Sequence, residues 1–262
     1  MTVAAFTRPL ALALVLCAVN AAAFAQSTED PYEPFVGQPG KDVVWVPTPQ
    51  ALVDRMLDMA KVTPEDFVID LGSGDGRTVI TAAKRGARAL GIEYDGNLVR
   101  LSQRNAEREG VADRATFVEQ DLFEADLSQA TVITMFLLPS INLQLRPTLL
   151  KLKPGTRIVS NTFTMDDWEA DATETLDRAS GCEGSWCTAL LWIVPAQVGG
   201  THQIPQGELT LEQTFQMLKG TLRAKGRSIP VEGRVIGEEV VLTVEGRELR
   251  GRVKDGRLEM QG

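Results

Sequence analysis

The chain has 262 residues, with 27 Lys and Arg against 35 Asp and Glu, and its formal net charge is −8. A surplus of acid with no clustered basic face argues against nucleic acid and other polyanions as partners. The length suits one domain of ordinary size with an appendage.

Residues 1–25 carry one basic residue, Arg8, an apolar run over 10–19, and Ala23-Phe24-Ala25 ahead of Gln26. This layout predicts a secretory signal peptide and an exported, periplasmic or secreted protein. The apolar run is short of the roughly 20 residues that span a bilayer, so no stable membrane span is expected after its removal. An N terminus that stays as an anchor, with the domain on the cytoplasmic side, is the alternative. Residues 26–45 are rich in Pro, Gly and charge without periodicity, and predict an extended arm lying over the domain or partly disordered.

At Thr48-Pro49 a capping residue is followed by proline in a first helical position, and Leu52, Val53, Met56, Leu57 and Ala60 recur at helical spacing. A helix over 49–60 follows. Short apolar runs then alternate with helical stretches: strand 67–71, helix 78–85, strand 89–92, helix 97–109, strand 116–118, strand-like run 132–138, helix 143–152 and strand 156–163. This order predicts an α/β domain over 46–199, a Rossmann-like and mostly parallel seven-stranded sheet. Segments 172–178 and 188–195 close it as a hairpin.

That hairpin is joined through Cys182 and Cys187, which lie in a loop with Gly181 and Gly184. An even pair in an oxidising compartment predicts a disulfide. No metal site is expected, because His202 is the single histidine and two further ligands are missing. His202 itself falls in the linker past the hairpin, as a surface residue. Residues 200–262 differ in kind. Leu209, Leu211, Phe215 and Met217 alternate with polar residues as one half-buried strand, and further short strands over 229–235, 240–244, 249–253 and 257–260 are punctuated by glycines. They predict a small antiparallel β-meander with no motif for catalysis, an edge-covering accessory sheet or else a platform for substrate or partner.

The chemistry concentrates at Asp70-Leu71-Gly72-Ser73-Gly74-Asp75-Gly76-Arg77. Three glycines directly after a buried strand and before a helix let the backbone approach a ligand at the helix N terminus. The dinucleotide fingerprint would place its third glycine where Arg77 stands, which disfavours NAD. Glu93 ends the second strand, where a carboxylate accepts the ribose hydroxyls of adenosine. Asp121 closes the third strand, positioned to face an adenine amino group beside Leu122 and Phe123.

With these residues the 45–195 region resembles a class I S-adenosylmethionine (SAM) dependent methyltransferase. Within that superfamily it is most similar to the small protein-lysine methyltransferases of archaea and mitochondria. The closer likeness lies in Val46-Pro47-Thr48, in Leu137-Leu138-Pro139 with Asn142, and in the 153–160 segment with Trp168 beyond it. Where those relatives carry Tyr before Val-Pro and a Ser-His pair, this chain has Trp45 and Ser160-Asn161. The resemblance implies a SAM pocket formed by Thr48, Asp70, Gly72, Gly74, Gly76, Glu93 and Asp121, with Leu137, Leu138 and Pro139 near the methyl group. It implies methyl transfer to a protein lysine or another amine, a small-molecule amine included, with no general base assigned. The competing reading is an exported, non-catalytic nucleoside-binding or recognition protein with the same fold. Asp166, Asp167 and Trp168 are expected on the substrate rim, as a solvated turn or as an attraction for a cationic side chain.

Overall fold

The computed structural model describes residues 1–2 and 32–261, so the leader expected over 1–25 lies almost wholly outside the described residues. Among the described residues no helix is long and apolar enough to cross a membrane.

The arm opens with a small hairpin, β1 (Gln38–Pro39) against β2 (Val44–Trp45), closed by the Gly40 amide donating to the Val43 carbonyl at 3.0 Å. Helix α1 (Gln50–Met59) buries Leu52, Val53, Met56 and Leu57, the expected apolar stripe. Its start is a correction. Pro49, not Thr48, is the capping residue, and its carbonyl accepts from the amides of Leu52 and Val53 without any side-chain cap. The Thr48 hydroxyl is used elsewhere, accepting from Asn161 Nδ2 at 3.3 Å.

Strands and helices then alternate: β3 (Phe67–Leu71), α2 (Arg77–Lys84), β4 (Arg88–Glu93), α3 (Gly96–Arg108), β5 (Ala115–Glu119), a 3-10 turn at Leu122–Glu124, β6 (Val132–Met135), α4 (Pro139–Leu149) and β7 (Arg157–Asn161). A hairpin of β8 (Ala172–Thr175) and β9 (Thr188–Ile193) completes the sheet, whose order is β5-β4-β3-β6-β7-β9-β8. The five strands from β5 to β7 run parallel, while β9 is antiparallel to both neighbours. The mostly parallel seven-stranded α/β sheet expected from the alternation is therefore present. Its central strands β3, β6 and β7 are buried on both sides because helices cover both faces. One face packs α1 to α3 through Leu52, Val79 and Val99; the other packs α4 and Trp168 through Leu145 and Leu149.

Around β6 the sequence pattern misleads. The strand stops at Met135, and α4 begins at Pro139 with Leu138 as its cap, four residues earlier than the hydrophobic period suggests. Proline is tolerated in a first helical turn because its missing N–H has no partner there in any case.

The tail forms a second sheet of seven antiparallel strands in sequence order: β10 (Gly200–Ile204), β11 (Gly207–Thr214), β12 (Met217–Ala224), β13 (Arg227–Ile236), β14 (Glu239–Val244), β15 (Arg247–Lys254) and β16 (Arg257–Met260). It encloses its own core of Leu209, Leu211, Leu218, Leu222, Val231, Val235, Val240 and Leu242. The stretch read as one strand over Leu209–Met217 is two, since Phe215 has a φ of +51° in a turn and Met217 opens β12. His202 lies in β10 rather than a linker, its ring nitrogen Nε2 2.9 Å from the Val198 carbonyl.

Candidate active site

Strand order reverses on either side of β3: chain connections leave it toward β4 on one flank and β6 on the other. In open parallel sheets a crevice forms at that point, outside the carboxyl ends of the strands. A cavity lies there, lined among others by Thr48, Asp70, Gly72, Gly74, Glu93, Asp121 and Leu137.

The loop between β3 and α2 is held by side chains on every flank. Gly72 and Gly74 have φ of +74° and +56°, backbone that other residues adopt at a cost. A Cβ on Gly74 would sit 2.8 Å from Trp45 Nε1, so the arm's indole closes directly over the loop. The Gly74 amide donates to Glu93 Oε2 at 2.9 Å, and Ser102 Oγ donates to the Gly74 carbonyl at 2.8 Å. Arg77, at the site of the absent third dinucleotide glycine, pairs with Asp75 at 2.6 Å and donates to the Thr48 carbonyl at 2.9 Å. One guanidinium thus ties the glycine loop to the start of α1.

Asp70 is buried at the end of β3 and accepts from Thr134 Oγ1 at 2.6 Å. Burial pushes its carboxyl up to about 7, and the nearby charges of Glu93 and Asp75 push the same way. Glu93 turns its other oxygen, Oε1, toward the amides of Tyr94 and Asp95 at 2.8 and 3.0 Å. Asp121 accepts from the Phe123 amide at 3.0 Å and pairs with Lys41 of the arm. The Lys41 hydrogen bond holds the Asp121 carboxyl below its ordinary value, and Lys41 Nζ also lies 4.6 Å from the Tyr94 ring centroid.

Six of the seven cofactor candidates therefore face one cavity. Gly76 stands apart: a Cβ there would meet Phe117 and Ser102 at 2.8 and 2.9 Å, so its smallness serves the packing of α2 against β5 and α3. Of the three methyl-proximal candidates, Leu137 lines this cavity and a second one, Leu138 is half exposed beside the second alone, and Pro139 is an exposed first residue of α4 lining neither. Tyr94, Lys41 and Trp45 are additional wall residues that sequence reasoning does not place in the cofactor site. Tyr94 was findable as the residue directly after Glu93. Lys41 was not, because the arm has no period from which to infer its fold.

The second cavity adjoins the first and is mostly apolar. Val43, Val46, Phe136 and Leu137 belong to both, and Leu138, Phe163 and Trp186 enclose the outer part. Phe163 is aimed there by a pinned loop: its carbonyl accepts from Ser160 Oγ at 2.8 Å and from Asn142 Nδ2 at 3.1 Å. The expected rim is elsewhere. Trp168 is fully buried, stacking on Phe215 of the second sheet at 5.9 Å, and Asp167 pairs with Arg146. A large ring finds more contact between two sheets than on a solvated turn.

These groups fit SAM: the carboxylates of Asp70, Glu93 and Asp121 are among those lining one cavity, and its glycine floor leaves no room for a Cβ on Gly74. Comparison with known proteins agrees. Residues 70–172 match the ANTKMT methyltransferase domain family. A protein-lysine N-methyltransferase of Saccharolobus islandicus is 50% identical over 129 residues, 48% of this chain and 80% of that protein. The adenine nucleotide translocase lysine N-methyltransferase of Mus musculus is 34% identical over 166 residues, 61% of this chain and 69% of that protein. A crystal structure of an RNA methyltransferase from Salinibacter ruber with S-adenosyl-L-homocysteine (SAH) is 49% identical, covers 58% of this chain and 96% of that one, and superposes with a TM-score of 0.54.

Proposed function

Because this chain belongs to the class I SAM-dependent methyltransferase family that includes the protein-lysine N-methyltransferases, we propose that its acceptor is the side-chain amine of a protein lysine. The observation that carries the proposal is the apolar second cavity opening off the cofactor cavity at Phe136 and Leu137. When bound, SAM supplies a methyl group on a sulfonium: the amine lone pair forms the new N–C bond, the C–S bond breaks with its electrons going to sulfur, and a proton leaves to water.

Such an in-line displacement asks the protein mainly for alignment. Glu93 and Asp121 would take the ribose and adenine, Asp70 and the loop from Gly72 to Gly74 the amino-acid end. Near neutral pH only about one lysine in a thousand is uncharged, and apolar surroundings favour the neutral form that reacts. Leu137, Leu138 and Phe136 supply those surroundings. The name of the Salinibacter protein raises RNA as a second acceptor class. A formal charge of −8 opposes it.

The test is incubation of the full chain with methyl-labelled SAM and lysine-bearing protein or peptide, read by mass spectrometry. Label on a lysine ε-nitrogen supports the reading; label in RNA alone, or none in protein, contradicts it. We further propose export. The layout of residues 1–25 supports it, and the Cys182–Cys187 disulfide suits an oxidising compartment. A mature N terminus at Gln26 is the expected finding, and an intact Met1 on the natural protein would contradict it.

A further inference from the structure

An exposed tryptophan, carried on a disulfide-closed loop, meets two phenylalanines at the second cavity, and of the three rings only Phe136 also lines the cofactor cavity. Trp186 lies between Ser185 and Cys187 and is 42% exposed, unusual for so large a ring with partners on one side only. Its indole meets the edge of Phe136 at 6.0 Å between centroids and 61° between planes, and Phe136 stacks on Phe163 at 5.9 Å and 19°. The three rings come from three different places in the chain: the end of β6, the loop after β7, and the loop between β8 and β9.

The loop bearing Trp186 is cross-tied at its base. Cys182 and Cys187 are bonded to each other and buried, the Leu176 amide donates to the Cys187 carbonyl at 2.8 Å, and the Cys182 amide to the Asp177 carbonyl at 3.0 Å. Arg178 and Glu183 pair across it at 2.6 Å. With the disulfide bridging the residues around it, the indole has little freedom to swing from the cavity.

Resting on the lysine reading above, we propose that Trp186, held by the Cys182–Cys187 disulfide, is a specificity-determining residue that forms an aromatic slot with Phe136 and Phe163 for the acceptor's amine-bearing side chain. The reasons are positional and chemical. The slot shares the walls Val43, Val46 and Leu137 with the cofactor cavity, so a side chain threading it arrives where a methyl group would be presented. Its apolar walls suit four methylenes, and aromatic faces attract an ammonium without hydrogen-bond acceptors. The charged residues at its rim, Lys41 and Asp42, pair with each other at 3.8 Å. Attraction to aromatic faces needs no N–H donor, so the slot holds a methylated ammonium as well as an unmethylated one.

The experiment is calorimetric titration of the SAH complex with Nα-acetyl-lysine N-methylamide, with its Nε-trimethyl form, and with the norleucine analogue that lacks the amine, the tryptophan emission of the parent being followed alongside. SAH affinity is measured in parallel by calorimetry. Both cationic probes should bind and perturb the emission, and norleucine should bind more weakly. Trp186→Ala should weaken the cationic probes about five- to tenfold, the range of an exposed to partly desolvated cation–π contact. Trp186→Phe should stay within about twofold of the parent, by keeping a ring in place. Cys182→Ser with Cys187→Ser should weaken the probes in the same direction, and all variants should bind SAH as the parent does. Equal probe binding by the parent and Trp186→Ala, or no probe binding by a parent that binds SAH, overturns the proposal. Failure of the parent to bind SAH instead overturns the cofactor site, a separate result.

Discussion

Asp70 combines burial, a hydrogen bond from Thr134 and two acidic neighbours, and the outcome is a carboxyl raised to about 7. In the unfolded chain an aspartate ionises near pH 4, so between there and about 7 the unfolded state loses its proton first. Asp70 therefore contributes stability at low pH that is lost as the pH rises through that window. Asp70→Asn should flatten this part of the profile: between pH 5 and pH 8 the ligand-free variant should lose less melting temperature than the parent, as thermal unfolding across pH would show. Parallel profiles would mean that Asp70 is already ionised in the native protein. At Gly74 the argument is steric. Gly74→Ala places a Cβ at a positive φ against Trp45, costing roughly 1–2 kcal/mol for the backbone alone. Calorimetry should show weaker SAH binding; unchanged binding would mean that the Trp45 lid moves away freely.

Individual elements explain what was legible and what was not. Asp70, Gly72, Gly74 and Glu93 could be placed from the sequence because strand, glycine loop and helix are local patterns, and a carboxylate at the next strand end completes them. The start of α4 could not. Met135, Phe136, Leu137 and Leu138 form one apolar run, and periodicity does not tell a buried strand from the capping turn after it. Phe163 and Trp186 were invisible for another reason. Their ring contacts are tertiary, made by a loop pinned through Asn142 and a loop closed by a disulfide, and no spacing in the chain encodes that meeting. The turn at Phe215 broke an alternation that otherwise reads as a single strand, since Gln213 donates to the Phe215 carbonyl across the bend at 2.8 Å.

The molecule joins two sheets of different origin in the chain. Residues of the second sheet do not line the cofactor cavity; the second sheet meets the first through Arg234 with Asp171, Gln216 donating to the Glu169 carbonyl at 2.8 Å, and Phe215 on Trp168. Asp171 is nearly inaccessible and also accepts from the Ile193 amide at 2.8 Å, so loss of Arg234 leaves a buried carboxylate short of a partner. Arg234→Ala should cost about 1–3 kcal/mol of stability in denaturant unfolding and leave SAH affinity unchanged. A large loss of SAH affinity would instead give the second sheet a part in the site. Glycine-punctuated alternation makes the meander legible, but as five strands instead of seven, because β10 reads as linker and β11 with β12 as a single strand. Its docking through Trp168 was not legible, because a tryptophan after the last parallel strand looks like rim until its partner Phe215 is in place.

Lysine methylation and the aromatic slot both depend on the cavity at the ends of β3 and β4 holding SAM. Glu93 lines the cavity and accepts from the amides of Gly74, Tyr94 and Asp95, so its removal should weaken cofactor binding and loosen the glycine loop while leaving the core of the sheet in place. The direct measurement is calorimetric titration of the parent and of Glu93→Ala with SAH. Saturable binding by the parent, reduced at least tenfold in a variant that still unfolds cooperatively, is the result the site geometry predicts. Parent and variant binding alike, or a folded parent that ignores SAH, would contradict it.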